Sequence, residues 1–150
     1  MGYDFGVGRE APTFTLNAVD GNEIGLSQYR GDWFPVLVFL PARAPGAADV
    51  LATLSAAAGE LWGLRGQLVG VCEAGRDECL KLAAAVPGLA FPLLPDGGGV
   101  ARQFGALRDD GALRPMAFII DRAGKIVWTG EGAAALTPEA LLAAFRRVVR

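Results

Sequence analysis

Pro35-Val36-Leu37-Val38-Phe39-Leu40-Pro41 is apolar at every position. A run of this length without polar alternation fits a central strand covered on both faces, and Pro41 ends it. Downstream, residues 46–64 carry Val50, Leu51, Leu54, Leu61 and Trp62 as the apolar stripe of a helix, with Asp49 near its start, where negative charge is favourable. Gln67-Leu68-Val69-Gly70-Val71-Cys72 reads as a second buried strand, and residues 77–86 as a second helix stopped by Pro87-Gly88. A strand–helix–strand order forces a right-handed parallel crossover.

Upstream, residues 13–19 alternate apolar and polar side chains, as a half-buried strand does. Asp20-Gly21-Asn22 then turns the chain into a short strand at residues 23–25, and Leu26-Ser27-Gln28-Tyr29-Arg30 is a brief helical turn. Beyond the second helix come a short strand at 91–94, a turn at 96–99 containing Gly97-Gly98-Gly99, and a helical turn at 100–104. Residues 116–121 and 125–129 pair around Arg122-Ala123-Gly124. Thr137 caps the last helix with Pro138 at its first position, and Leu141, Leu142, Phe145, Val148 and Val149 give it a buried face. The expected architecture is α/β: one domain over residues 1–150, a mixed central sheet with helices on both faces and an N-terminal β-hairpin.

Composition narrows the chemistry. The chain has 150 residues, is 52% hydrophobic and 20% charged, and carries a net charge of −2. It has no basic tail and no acidic run, so neither nucleic acid nor a membrane surface is an expected partner. No stretch has the length of a membrane span. Residues 1–10 carry Asp4 and Glu10 and lack an apolar h-region, so no ordinary signal peptide is expected and the cytoplasm is the expected compartment. There is no histidine, which removes Ser-His and Cys-His nucleophile pairs and His-ligated zinc. Two cysteines cannot supply a four-thiolate metal site, and no metal or cofactor is expected.

In open α/β sheets, sites lie at the carboxyl ends of the strands. The first such place is the turn from Pro41 to Ala48, and it contains no Cys, Ser, Thr or His.

The order of short motifs resembles a family. Ala11-Pro12-Thr13-Phe14-Thr15-Leu16, Asp20-Gly21, Leu26 to Gly31 and Val36 to Pro41 are similar to the opening of a peroxiredoxin, in the alkyl hydroperoxide reductase and thiol-specific antioxidant branch of the thioredoxin fold. Phe91-Pro92-Leu93-Leu94 with Asp96, then Val100-Ala101-Arg102-Gln103-Phe104-Gly105, resemble its middle. Phe118-Ile119-Ile120-Asp121 and Gly124-Lys125-Ile126 resemble its end. The resemblance spans residues 6–132 and implies a thioredoxin-like fold and a thiol-dependent antioxidant oxidoreductase. Its implied partners are a thiol reductant or another small molecule, and a second copy of the chain. In that family the turn reads Pro, three residues, Thr, two residues, Cys, and the Cys attacks the peroxide from a helix N-terminus that favours thiolate. Counted from Pro41, the Thr position is Pro45 and the Cys position Ala48; a one-residue deletion gives Ala44 and Ala47. Arg114 stands where the family's peroxide-holding Arg is expected. Pro115, three residues before Phe118, has the spacing of the cis-proline of thioredoxin-like reductases. The peroxide pocket is thus expected as a vestige made of Pro41, Pro45, Ala48 and Arg114.

Cys72 and Cys79 remain as candidate catalytic groups. One reading is a redox pair, or a displaced nucleophile at Cys79 near a helix N-terminus. The other is a pair of inert buried thiols, with Asp77 and Glu78 raising the Cys79 pKa. A further candidate is an anion site in which Arg114 and Arg43, with Gly46 and the start of the helix after it, hold a small carboxylate or phosphate. Two functions follow: a divergent oxidoreductase acting through Cys72 and Cys79, or a non-catalytic binding or assembly module on the same fold.

Overall fold

The structure is a computed structural model that describes residues 6–97 and 99–149. Part of the N-terminal stretch (1–5), Gly98 of the Gly97–Gly99 turn, and Arg150 lie outside the described residues. The strands are β1 (Thr15–Asn17), β2 (Glu23–Gly25), β3 (Phe34–Phe39), β4 (Gly66–Cys72), β5 (Leu93–Pro95), β6 (Met116–Ile120) and β7 (Ile126–Glu131). The helices are α1 (Ala47–Gly63), α2 (Arg76–Ala84), α3 (Gly99–Gln103) and α4 (Pro138–Val148). The main sheet runs β5-β4-β3-β6-β7, and β1-β2 form a separate hairpin.

The apolar run at 35–41 is the middle strand of the sheet. β3 pairs in parallel with β4 and antiparallel with β6, so both its edges are spent on neighbours. Side chains alternate between the two faces of a strand. Val36, Val38 and Leu40 therefore join Leu68, Cys72, Ala117 and Ile119 against α1, α2 and α4. Leu37, Phe39, Val69, Val71, Met116, Phe118 and Ile120 face the other way, against α3 and the N-terminal hairpin. This parity turns Cys72 toward the layer that contains α2.

Local signals held where the chain decides its own geometry. Thr137 accepts from the Ala140 N–H at 3.2 Å and α4 opens on Pro138. Elsewhere the elements differ from the sequence expectation. β1 is three residues long rather than the seven of 13–19, because its partner β2 offers only three to pair with. The short strand begins at Leu93, where pairing with Gly70 of β4 begins. Trp62 is 60% exposed and does not join the buried stripe of α1. It stacks instead on Trp33, with ring centroids 5.3 Å apart and the Arg65 guanidinium over the Trp33 ring.

At Gly66, β4 passes close to both α1 and α4. A Cβ there would lie 2.8 and 2.9 Å from ring carbons of Phe145 and 3.3 Å from the Leu61 carbonyl oxygen. Phe145 is fully buried and cannot swing away. Gly66→Ala is expected to destabilise the protein by about 1–3 kcal/mol through overpacking, read as a lower thermal midpoint by calorimetry.

Candidate functional site

The β3–α1 turn is built from backbone. The Ala44 N–H donates to the Pro41 carbonyl at 3.2 Å and the Ala47 N–H to the Ala44 carbonyl at 3.1 Å. Gly46, at φ +82°, is the N-cap of α1 and brings no capping side chain. The left-handed φ makes glycine the natural residue at that corner. Behind the turn is a pocket of about 120 Å³ lined by apolar residues only, among them Pro41, Pro45, Ala47, Val50, Pro115 and Leu136. A pocket of this lining can hold an apolar group; it offers no acid, base or nucleophile.

The structure gathers Pro41, Pro45 and Pro115 into that lining, but not Ala48 or Arg114. Ala48 packs beside the helix-side core. Arg114 is half-buried and bound to Glu131 of β7, Nη1 to Oε2 at 3.3 Å. The peptide bond before Pro115 is trans, as are all described peptide bonds, which corrects the expectation of a cis-proline. The trans form is the lower-energy isomer by about 0.5–1 kcal/mol for X–Pro, and here Gly132 donates to the Pro115 carbonyl at 2.8 Å. Spacing to Phe118 carries no information on the isomer.

The sulfur atoms are one strand over. Cys72 ends β4, beside the end of β3, and its carbonyl accepts the Asp96 N–H at 2.8 Å. Cys79 lies one turn into α2, and its N–H donates to the Gly75 carbonyl at 3.1 Å. The two are joined as a disulfide with Cα atoms 6.9 Å apart, inside the reach of such a bond. Both are fully buried. The Cys79 Sγ sits 3.5 Å from the Ala74 carbonyl oxygen. A disulfide here stores two electrons' worth of oxidation, and a dithiol reductant can return it to two thiols.

Two residues of this region were not singled out from sequence as partners of the turn. Glu73 accepts the Ala42 N–H at 3.1 Å, and Glu78 accepts both Nε and Nη2 of Arg43. That bond lowers the Glu78 carboxyl below its ordinary value and raises the Arg43 guanidinium. Arg43 is therefore spent on a carboxylate, which removes it from the expected anion site at Gly46. Glu78 in turn is not a bare negative charge beside Cys79. The signal was visible only as acids next to each cysteine; their partner is 31 to 35 residues away. Among the described residues, no group of three Cys, Asp or Glu side chains is placed to hold a metal ion, and no helix is long and apolar enough to cross a membrane.

Known proteins share this fold. A family model described as the AhpC/TSA family matches residues 7–129. The chain is 30% identical over 129 residues to "Putative peroxiredoxin Rv2521" of Mycobacterium tuberculosis, covering 80% of this chain and 81% of that protein. It is similar to the crystal structure of peroxidoxin BcpB from the same organism, at a TM-score of 0.81 and 29% identity over 96% of this chain and 97% of that one. Xanthomonas campestris peroxiredoxin Q shares the fold at a TM-score of 0.80 and 21% identity, over 91% and 92% of the two chains.

Proposed function

The chain belongs to the AhpC/TSA family of thioredoxin-like fold, and from that premise we propose a thiol-dependent antioxidant oxidoreductase whose two-electron centre is Cys72 and Cys79. The observation that carries this reading is the bonded pair at the carboxyl end of β4, beside a β3–α1 turn that has no sulfur or hydroxyl. In this reading Ala48, or Ala47 if one residue is deleted, holds the family's nucleophile position, and the ordinary peroxidase step at that turn is lost.

The chemistry moves to the neighbouring strand and helix. Cys79 is the nucleophile because it lies near the start of a nine-residue helix, whereas Cys72 is held by a strand paired on β5. The reduced Cys79 thiolate attacks one peroxide oxygen and the O–O bond breaks. The leaving oxygen takes a proton and departs as water or alcohol, and Cys79 is left as sulfenic acid. Cys72 thiolate then attacks the Cys79 sulfur, hydroxide leaves and is protonated to water, and the disulfide forms. A dithiol reductant supplies two electrons and two protons to restore both thiols. The sulfur pair carries both electrons, so the cycle uses no further cofactor.

Peroxide consumption coupled to a dithiol reductant tests this. Turnover by the wild type that disappears in the Cys72→Ser, Cys79→Ser double variant supports it. No wild-type turnover, or turnover unchanged in the double variant, overturns it.

One observation favours a second reading, a non-catalytic binding or assembly module. It is the wholly apolar pocket behind Pro41 and Pro45, whose lining suits an apolar group and offers no reacting side chain. A strict monomer by light scattering, with no small molecule shifting the melting temperature, argues against that reading.

A further inference from the structure

Glu73 and Glu78 are the first and last residues between the two cysteines, and both are bound to consecutive residues of the β3–α1 turn. The Ala42 N–H donates to Glu73 Oε1 at 3.1 Å, and the Arg43 guanidinium grips both oxygens of Glu78. Ala42 also packs against the buried cluster that contains Cys72, Ala74 and Cys79. Neither sulfur has exposed surface. An incoming thiolate must approach in line with the S–S bond, so the turn or the start of α2 has to move first.

The outer half of this tie is weak. The Arg43 side chain is 77% exposed and that of Glu78 37%. Exposed ion pairs stabilise little and are screened by salt. Such a tie opens without disturbing the sheet, and it costs the fold little when it does. The helix beneath it is short, and short helices depend on tertiary contacts for their order.

We propose that Ala42 and Arg43, held by Glu73 and Glu78, form a latch that sets how fast a dithiol reductant reaches the Cys72–Cys79 disulfide. The turn that has no nucleophile of its own becomes the cover of the neighbouring one. This deepens the reading of that pair as the redox centre and rests on it. When the latch opens, a reductant thiolate attacks Cys79 Sγ and the S–S bond breaks. Cys72 leaves as thiolate and takes a proton. The reductant's second thiol then displaces Cys79 as thiol, and the reductant departs as its own disulfide. Arg43, Glu73 and Glu78 touch no reacting atom; they are positioning residues.

The experiment follows disulfide reduction by dithiothreitol directly, by thiol alkylation and mass measurement, on the full chain oxidised beforehand. Arg43→Gln and Glu78→Gln are each expected to quicken reduction about threefold to fivefold, the scale of one exposed ion pair. The swapped pair Arg43→Glu, Glu78→Arg should return to the wild-type rate. Raising sodium chloride from about 20 mM to about 500 mM should quicken the wild type and leave Glu78→Gln unmoved, because salt screens only a pair that is present. Glu73→Ala should act in the same direction as Glu78→Gln. Unchanged rates in both single variants overturn the latch. So does a faster rate matched by an equal loss of global stability of the oxidised protein, which would mean reduction through unfolding. The redox reading fails separately: peroxide turnover is then absent although reduction still depends on the latch.

Discussion

Cys79→Ser is expected to abolish peroxide reduction, a loss of at least about 100-fold, while Cys72→Ser keeps a single turnover per chain. The difference comes from where the two sulfurs sit. Cys72 is the last residue of β4, next to Pro95 in register, with its carbonyl bound by Asp96. Its backbone cannot move without opening the sheet. Cys79 is in α2, whose N-cap Gly75 supplies no capping side chain, so it reaches solvent by loosening one helical turn. In Cys72→Ser the Cys79 thiolate still attacks peroxide and stops at sulfenic acid, which a dimedone trap records at one equivalent. In Cys79→Ser the remaining hydroxyl has no base or low pKa to make it a nucleophile, and no trap signal appears. Both variants lose the disulfide, whose short loop is worth about 2–3 kcal/mol of chain entropy. They are therefore compared with the reduced wild type, and circular dichroism checks that each is folded. A trap signal in Cys79→Ser and none in Cys72→Ser exchanges the two roles.

What could be seen in the sequence was whatever the chain decides locally. The run from Pro35 to Pro41 became the central strand because no polar side chain interrupts it. Thr137-Pro138 became a helix start because a cap hydroxyl and a fixed φ act within one turn. Motif order at the two ends and the middle of the chain carried the fold family. The site was legible only in part. That the 41–48 turn holds no Cys, Ser, Thr or His was plain, and so were two cysteines at one strand–helix unit. The parity of β4 and the reach from Cys72 to Cys79 needed the packed helix. The grip of Glu78 on Arg43 joins residues 35 apart, and neither residue differs locally from any other surface charge. Trp62 shows the same limit. Its spacing suits the buried stripe of α1, but it is largely exposed and stacks on the half-buried Trp33 ring. Pro115 takes the trans form that is the default for X–Pro, which its distance from Phe118 did not foretell.

Phe118→Ala is expected to cost about 3–5 kcal/mol of stability, on the core face away from the cysteines. Phe118 is fully buried at the centre of β6, in register with Leu37 of β3 and Thr129 of β7. Its ring meets Phe39 at 5.6 Å and 82°, and Phe104 at 5.1 Å and 62°; Phe39 and Phe104 lie 5.4 Å apart. Edge-to-face contacts of this kind add to the burial term. The hole cannot close easily, because Phe39 is fixed by two strand ladders. Phe104 follows the five-residue α3 and is held by its N–H on the Val100 carbonyl at 3.1 Å and by the Phe14 ring at 6.2 Å. Whole domains are stable by roughly 5–15 kcal/mol, so this one change removes a large share. Urea titration should show a lower midpoint with an unchanged slope, the mark of lost packing without a changed unfolded state. Cys72 and Cys79 belong to the opposite core layer. At low temperature, where the variant is still folded, the rate of disulfide reduction should therefore match the wild type. A stability loss below about 1 kcal/mol would mean that the aromatic layer is not packed as described. A reduction rate that rises while the protein is folded would mean that the two layers are coupled through β3 and β4.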